Sequence, residues 1–143
     1  MNEYNIDVIK DAIRNSSKES SIYIGCDSKW NRKKTIFGLV VIIHHDSRHG
    51  GNCWGKKIFD ERKLGIKERL MKEVEMAVGC AFEVFDVIEN RNFEIHLDIN
   101  PNREHKSNEV MNQATGYVTA QGFPCQIKPN AWAASTCADL LCQ

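Results

Sequence analysis

The sequence of 143 residues predicts an α/β fold, in which helices flank a mixed sheet of five strands. Three apolar runs of strand length, at about 21–28, 35–43 and 53–59, are joined by short polar turns, which favours an antiparallel meander. From about 65 to 89 the apolar residues recur at helical spacing instead. Shorter strands and helices then alternate over the rest of the chain. This change from consecutive strands to strand–helix alternation predicts the fold class.

The first elements follow from apolar spacing and from the turns between them. Ile6, Ile9 and Ile13 lie one helical turn apart, so residues 5–15 are expected to form a short amphipathic helix before the sheet. A polar connector separates it from the first strand. A basic turn at 30–34 and a turn-rich segment at 45–52 divide the three strands of the meander.

The second half of the chain contains the longest predicted helix. Its apolar residues form one continuous stripe: Ile66, Leu70, Val74, Ala77, Ala81, Phe85 and Ile88. A fourth strand is predicted at about 93–99, a second long helix at 104–121 and a fifth strand at 124–128. Asn130 is expected to cap a final helix that extends through Leu141.

Composition places the chain among globular proteins of one domain. Hydrophobic residues make up 42% and charged residues 27% of the sequence, and 143 residues can bury a sizeable core. No apolar run approaches the roughly 20 residues of a membrane-spanning helix. The first residues lack the basic-then-apolar profile of a secretory signal. We therefore expect a cytoplasmic protein without membrane association.

The six cysteines are expected to be reduced. They include no Cys-x-x-Cys pair, and several lie in apolar runs where a free thiol behaves as a small hydrophobic group. The five histidines keep no ligand spacing with them, which argues against structural zinc.

The charge is distributed unevenly although the net charge is zero. Residues 29–72 contain twelve Lys or Arg against four Asp or Glu, a net charge of +8 that the rest of the chain balances. Such a segment is compatible with a surface that follows a phosphate backbone beside an acidic centre. Solvated basic hairpins explain the same residues without any partner.

Two acids interrupt apolar strands, where a carboxylate is costly unless a partner offsets its burial. Asp98 ends the fourth predicted strand, and the carboxyl ends of central strands are where binding sites collect in α/β sheets. Asp27 ends the first strand, where alternation from Ile22 and Ile24 places it on the face of Tyr23. Periodicity alone leaves open whether Asp27 caps a turn or serves a site.

Two further acids lie on predicted helices. At about 100° per residue, Glu73 falls at the edge of the apolar stripe of the long helix, while Glu68 and Glu75 point to solvent. A surface acid paired with a neighbouring lysine is the alternative for Glu73. Asp139 lies among small and apolar residues of the final helix and is the sole acid after residue 109.

The order of elements, with acids on the first strand, the long helix, the fourth strand and the last helix, resembles the ribonuclease H-like fold. The stretch Ala-Asp-Leu-Leu at 138–141 is similar to a signature of the ribonuclease H last helix. More specifically, four segments resemble the YkuK family of predicted ribonuclease H-like nucleases: His-Leu-Asp-Ile-Asn-Pro-Asn at 96–102, Lys-Ser-Asn at 106–108, Gly-Tyr-Val at 116–118, and Ile-Lys-Pro-Asn-Ala-Trp-Ala-Ala-Ser at 127–135. The likeness extends over about residues 21–142.

This resemblance implies a metal-dependent nuclease and a sheet ordered 3-2-1-4-5, with the first and fourth strands adjacent. It implies Asp27, Glu73, Asp98 and Asp139 as catalytic metal ligands. Oxygen ligands favour Mg²⁺ or Mn²⁺, and two ions are expected, with Asp27 and Asp98 flanking both, Glu73 on the leaving-group ion and Asp139 on the nucleophile ion. RNA, an RNA–DNA hybrid or structured DNA is the expected substrate.

We also expect a set of polar residues to contact nucleic acid: Ser28, Lys29, Lys33, Lys106, Ser107, Asn108 and Lys128. Residues 106–108 lie near a predicted helix N-terminus, where they could bind a phosphate or cap the helix. The sequence favours neither role over the other. The chain has Asn130 where the family often has an acid, and no clear counterpart of the mobile histidine of some ribonucleases H, for which His105 is a poor substitute. A catalytically weak or inactive module that binds nucleic acid or protein is therefore the alternative. A nucleotide-binding domain is disfavoured because no complete P-loop, in which Gly-x-x-x-x-Gly-Lys is followed by Ser or Thr, is present.

Overall fold

The fold is given by a computed structural model that describes residues 1–46, 50–101 and 105–143, with the backbone alone for 105–109. The elements, in chain order, are β1 (Asn2–Glu3), α1 (Ile6–Asn15), β2 (Ser21–Asn31), β3 (Lys34–His44), β4 (Gly51–Asp60), α2 (Ile66–Ile88), β5 (Asn92–Leu97), α3 (His105–Ala120), β6 (Cys125–Gln126), a π-helix (Ala133–Ala138) and α4 (Asp139–Cys142). No helix among the described residues is long and apolar enough to cross a membrane.

The described strands form one mixed sheet in the order β1-β4-β3-β2-β5-β6. Strands β2, β3 and β4 pair antiparallel, whereas β2–β5 and β5–β6 pair parallel. The predicted order 3-2-1-4-5 is therefore confirmed, since β2 and β5 are adjacent at the centre. The short strand β1 was not predicted. It pairs parallel with β4 through Asn2 and Glu3, and two exposed polar residues carry no periodic signal.

Helix α1 forms as its apolar spacing predicts. Asn5 caps it by accepting hydrogen bonds from the backbone N–H groups of Asp7 and Val8, and Ile9 and Ile13 are fully buried. Helix α2 buries its central stripe, but the prediction was wrong at two positions. Ile66 and Phe85 are both more than 60% exposed, because the buried face passes through Val84 and Val87 instead.

The last helical segment differs from the sequence expectation at its start. Asn130 is exposed, and it does not cap a helix that begins at residue 132. The Ala133 backbone N–H donates instead to His96 Nδ1, at 3.1 Å, so a buried histidine on β5 supplies the acceptor. The segment then continues as a π-helix. This geometry is rare in proteins overall, and where it occurs it is often at a functional site.

The sheet has a distinct apolar cluster on each face. Alternate residues of β2 divide between them as predicted: Ile22, Ile24 and Cys26 join the main core with α1 and α2, while Tyr23 packs on the other side. All six cysteines are free, as expected.

Candidate active site

Strands β2 and β5 bring the first two acids together. They run parallel in register, with Cys26 opposite Leu97 as the last pair, so Asp27 and Asp98 are the next residues on neighbouring strands. Asp27 is 6% exposed, and the Asp98 side chain is 22% exposed. Both acids therefore lie at the carboxyl end of the central strands, where the sequence predicted a site.

Two glycines allow the last helix to lie directly on this end of the sheet. A Cβ at Gly25 would lie 2.5 Å from the Ala133 carbonyl carbon, and one at Gly38 would lie 2.7 Å from the Ala138 carbonyl oxygen. Gly38 is the cross-strand partner of Asp27. The close approach therefore places Asp139, which follows Ala138, beside Asp27.

The same end of the sheet is covered by helix α2. Glu73 is 6% exposed and lies on the buried face of α2 with Ala77 and Cys80. Glu68 and Glu75 are exposed, so the helical wheel selected the buried acid of the helix correctly. A salt bridge between Glu73 and a neighbouring lysine, the alternative reading, is absent among the described residues.

Hydrogen bonds link three of the acids into a chain centred on Asp27. Burial and the Asp98 charge raise the pKa of Asp27 to about 7, and this carboxyl is hydrogen-bonded to Asp139 and Glu73. Burial, with the Asp27 charge, raises the pKa of Glu73 well above its ordinary value. Burial would also raise the pKa of Asp139, but hydrogen bonds from Lys29 and Asp27 outweigh it and leave that pKa lowered.

A hydrogen bond between two carboxyl groups requires a proton on one of them. The raised pKa values of Asp27 and Glu73 favour such protonation. Shared protons thus offset part of the repulsion among the acids.

Two lysines neutralise the outer members of the group. Lys29 Nζ lies 3.0 Å from Asp139 Oδ1, and Lys128 Nζ lies 2.9 Å from Asp98 Oδ1. The second contact lacks hydrogen-bond geometry, so Asp98 Oδ1 is buried without a hydrogen-bond donor among the described residues. A buried carboxylate oxygen of this kind is costly and suits a cation.

The donor chemistry of the four acids fits a hard divalent ion, since all four supply carboxylate oxygens. Their present arrangement does not yet form a metal site: within the described part of the chain, no three His, Cys, Asp or Glu side chains are placed to hold an ion. Protons and lysines take the position of cations instead. Binding of an ion would require loss of the shared protons and displacement of Lys29 and Lys128.

The remaining residues predicted to contact nucleic acid fall into three groups. Lys29 and Lys128 lie at the acids, while Lys33 is exposed in the β2–β3 turn. Ser28 is buried and its hydroxyl faces the interior, so it is closed to nucleic acid in this conformation. It alternates with Cys26 onto the core face of β2. The side chains of residues 106–108, like that of His105, lie outside the described residues.

Three residues near the acids were not singled out from the sequence. The Cys142 thiol donates to the Asp27 carbonyl oxygen at 3.2 Å, which ties the last helix to β2. The Arg69 charge favours ionisation of Glu73 one helical turn away, and that i, i+4 spacing was a usable signal. His96 had no such signal, because its buried role depends on a contact with a helix 37 residues further along the chain.

A mixed sheet with three antiparallel strands, acids on its two central strands and helices on both faces defines the ribonuclease H-like class. The Ribonuclease H-like family model matches residues 5–143, and the chain therefore belongs to that family. It is also similar to the uncharacterized protein YkuK of Bacillus subtilis (strain 168), with 24% identity over 131 residues that cover 81% of this chain and 75% of that protein. No solved structure matches the chain.

Proposed function

We propose that the protein is a metal-dependent nuclease that hydrolyses phosphodiester bonds in RNA, an RNA–DNA hybrid or structured DNA. The observation that supports this most strongly is the assembly of four carboxyl groups at the carboxyl end of β2 and β5. Two of them are almost fully buried, and structural stability gives no reason to keep such a cluster.

In this proposal Asp27, Glu73, Asp98 and Asp139 hold Mg²⁺ or Mn²⁺. Bound ions of this kind supply an activated water and stabilise the oxygen that leaves in an in-line displacement. Asp27 is central because it contacts acids of both flanking helices. The close packing of the last helix on Gly25 and Gly38 fixes Asp139 relative to Asp27.

The lysines have a second role in the same proposal. Lys29 and Lys128 each neutralise one acid in the metal-free protein. Released by a bound ion, both side chains are long enough to reach a phosphate beside the site, and both are partly exposed. The +8 segment from residue 29 to 72 then continues the basic surface away from the acids.

One observation favours a different function, that of an inactive nucleic-acid-binding module. The lysine–acid pairs and the shared protons leave the described carboxylates without a ready-made ion site. A protein that had lost catalysis would retain the fold and the basic surface in this form. Both functions predict binding to nucleic acid, so cleavage decides between them.

The test is a panel of labelled RNA, DNA and hybrid substrates with Mg²⁺, Mn²⁺ or EDTA. We expect cleavage of at least one substrate with a divalent ion and none with EDTA. Asp98→Asn should abolish it, by at least about 100-fold for a lost site ligand. The variant should fold normally, because the substitution removes no core packing.

Glu75→Gln is the matched control, since Glu75 is an exposed acid two residues from Glu73 on the same helix. It should cut as the wild type does. Cleavage that resists EDTA, or that survives Asp98→Asn, would contradict the proposal. Binding without cleavage of any substrate would identify the inactive module.

A further inference from the structure

An exposed tryptophan with two cations lies next to the acids. Trp30 is the penultimate residue of strand β2, three positions after Asp27, and is 43% exposed. Lys63 Nζ and Arg69 Cζ each lie 4.6 Å from the centre of its ring, within the range of a cation–π contact. We call Trp30, Lys63 and Arg69 the tryptophan platform.

The tryptophan platform is held in place by buried and partly buried hydrogen bonds. The Trp30 indole N–H donates to the Leu64 carbonyl oxygen at 2.7 Å. Thr35, fully buried, accepts from the Leu64 N–H at 3.0 Å and donates to the Arg62 carbonyl oxygen at 2.8 Å. These bonds fix residues 62–64 against the sheet, so the ring is oriented before any ligand arrives.

The cations of the platform are available to an anion. Among the described residues, no carboxylate lies within ion-pair distance of Lys63 or Arg69, whereas Arg62 and Lys72 both pair with Asp60. Phosphate groups are the anions that accompany an aromatic, stackable base.

The platform is within reach of a strand bound at the acids. Trp30 follows Asp27 by three positions on β2, about 10 Å along the strand at 3.3 Å per residue, and its side chain points to the opposite face of the sheet. That distance is about three nucleotides of stacked strand at 3.4 Å each. Arg69 lies one helical turn before Glu73 on α2, so the same helix connects the platform to the acid cluster.

We propose that the tryptophan platform binds an unpaired nucleotide of the substrate. Its base displaces the exposed Lys63 side chain from the Trp30 ring and stacks there, and its phosphates contact Lys63 and Arg69. The inference rests on the proposed function, because it makes single-stranded nucleic acid, or a single-stranded segment beside the cut, the substrate class. Stacking requires a free base face, which a base inside a duplex does not offer.

The experiment measures binding rather than cleavage. Fluorescence anisotropy of short labelled oligonucleotides is recorded in EDTA with the full chain, using single-stranded RNA, single-stranded DNA and blunt duplex DNA. The wild type should bind a single strand more tightly than the duplex. Trp30→Leu should weaken single-strand binding by about ten-fold, equivalent to roughly 1.4 kcal/mol, and duplex binding little.

Two further variants separate stacking from structure. Trp30→Phe loses the hydrogen bond to Leu64 but keeps an aromatic face, so its binding should stay within about three-fold of the wild type. Trp132 is 38% exposed on another part of the surface, against Tyr23 and His96. Trp132→Leu should leave binding unchanged.

The proposal is overturned if Trp30→Leu binds single strands normally, if Trp30→Phe is as weak as Trp30→Leu, or if the duplex is preferred. Equal loss on Trp132→Leu would also overturn it. The RNA and DNA arms show which sugar is preferred. The binding assay is independent of the cleavage panel. If binding depends on Trp30 but no substrate of the panel is cleaved, the proposed nuclease function is refuted and the proposal for the tryptophan platform stands.

Discussion

Buried charged groups lie at both ends of strand β5, and their surroundings are opposite in kind. Before the strand, Arg91 is 5% exposed and all three of its nitrogens donate hydrogen bonds, chiefly to backbone carbonyls at the ends of α1 and α2. After the strand, Asp98 lies next to Asp27 and Glu73, which are each 6% exposed, and the neighbouring groups are all acids.

This difference in surroundings distinguishes a buried charge that stabilises the fold from buried charges that do not. The Arg91 guanidinium satisfies carbonyls that would otherwise be left unpaired where helices end, so it stabilises the junction of α1 and α2. The acids repel one another and retain protons at a pH where isolated carboxyls are ionised. A cluster that costs stability is the one expected to have a function.

Removal of the Arg91 side chain should have the largest effect on stability. Arg91→Met would leave several buried carbonyls without donors, which should lower the free energy of unfolding by about 3 kcal/mol. Thermal denaturation followed by circular dichroism would measure the loss. The matched control is Arg14→Met, since Arg14 forms an exposed ion pair with Asp11 worth less than about 1 kcal/mol. Similar losses in both variants would contradict the comparison.

Displacement of the last helix from the acids should have the next largest effect. A Cβ at position 38 would lie 2.7 Å from the Ala138 carbonyl oxygen, so Gly38→Ala should lower stability by about 2 kcal/mol. It should also weaken the response of the melting temperature to Mn²⁺, because Asp139 moves with the helix. Gly79→Ala is the control: nothing would contact its Cβ, and an exposed helical glycine replaced by alanine should raise stability by up to about 1 kcal/mol.

Neutralisation of an acid should have a smaller effect of the opposite sign. The folded protein holds the Asp27 proton to about pH 7, while the unfolded chain releases it near 3.8. Stability without metal should therefore fall as the pH rises from about 4 to 7. Above pH 7, Asp27→Asn should raise the free energy of unfolding by about 1–2 kcal/mol, less than the full ionisation penalty because the amide loses hydrogen bonds.

The pH dependence provides its own control. Denaturant unfolding at pH 5 and pH 8 should show the stabilisation of Asp27→Asn mainly at pH 8. Glu75→Gln should change stability little at either pH, since Glu75 is exposed. Destabilisation by Asp27→Asn at both values would mean that the aspartate is a structural group, as Arg91 is.

Features that depend on residues close together in the sequence could be predicted, whereas features that depend on contacts between distant residues could not. Local periodicity identified the meander, the long helix and the buried member of the Glu68, Glu73 and Glu75 set, and the strand order came from resemblance. The cap by His96, the π-helix and the burial of Ser28 depend on contacts distant in sequence. Phe85 was assigned to the core but packs at the surface against Phe123, which no local pattern reveals.

The sequence predicted which acids would form the candidate site, but not how they would pair with one another and with lysines. The four acids were identified from position and resemblance, but their shared protons and the lysines that pair with them arise from packing. Lys128 reaches Asp98 because β6 follows β5 in the sheet, and Lys29 reaches Asp139 because two glycines admit the last helix. Neither contact has a signature in sequence spacing.

The most direct test of the central claim is a calorimetric titration with Mn²⁺ at pH 7, performed in two buffers of different ionisation enthalpy. A cation site among these acids should bind Mn²⁺ and release protons, because the shared protons of Glu73 and Asp27 must leave. Glu73→Gln should weaken binding at least about ten-fold, while Glu75→Gln should bind as the wild type does. Absence of binding in the wild type, or equal binding in all three proteins, would contradict the account.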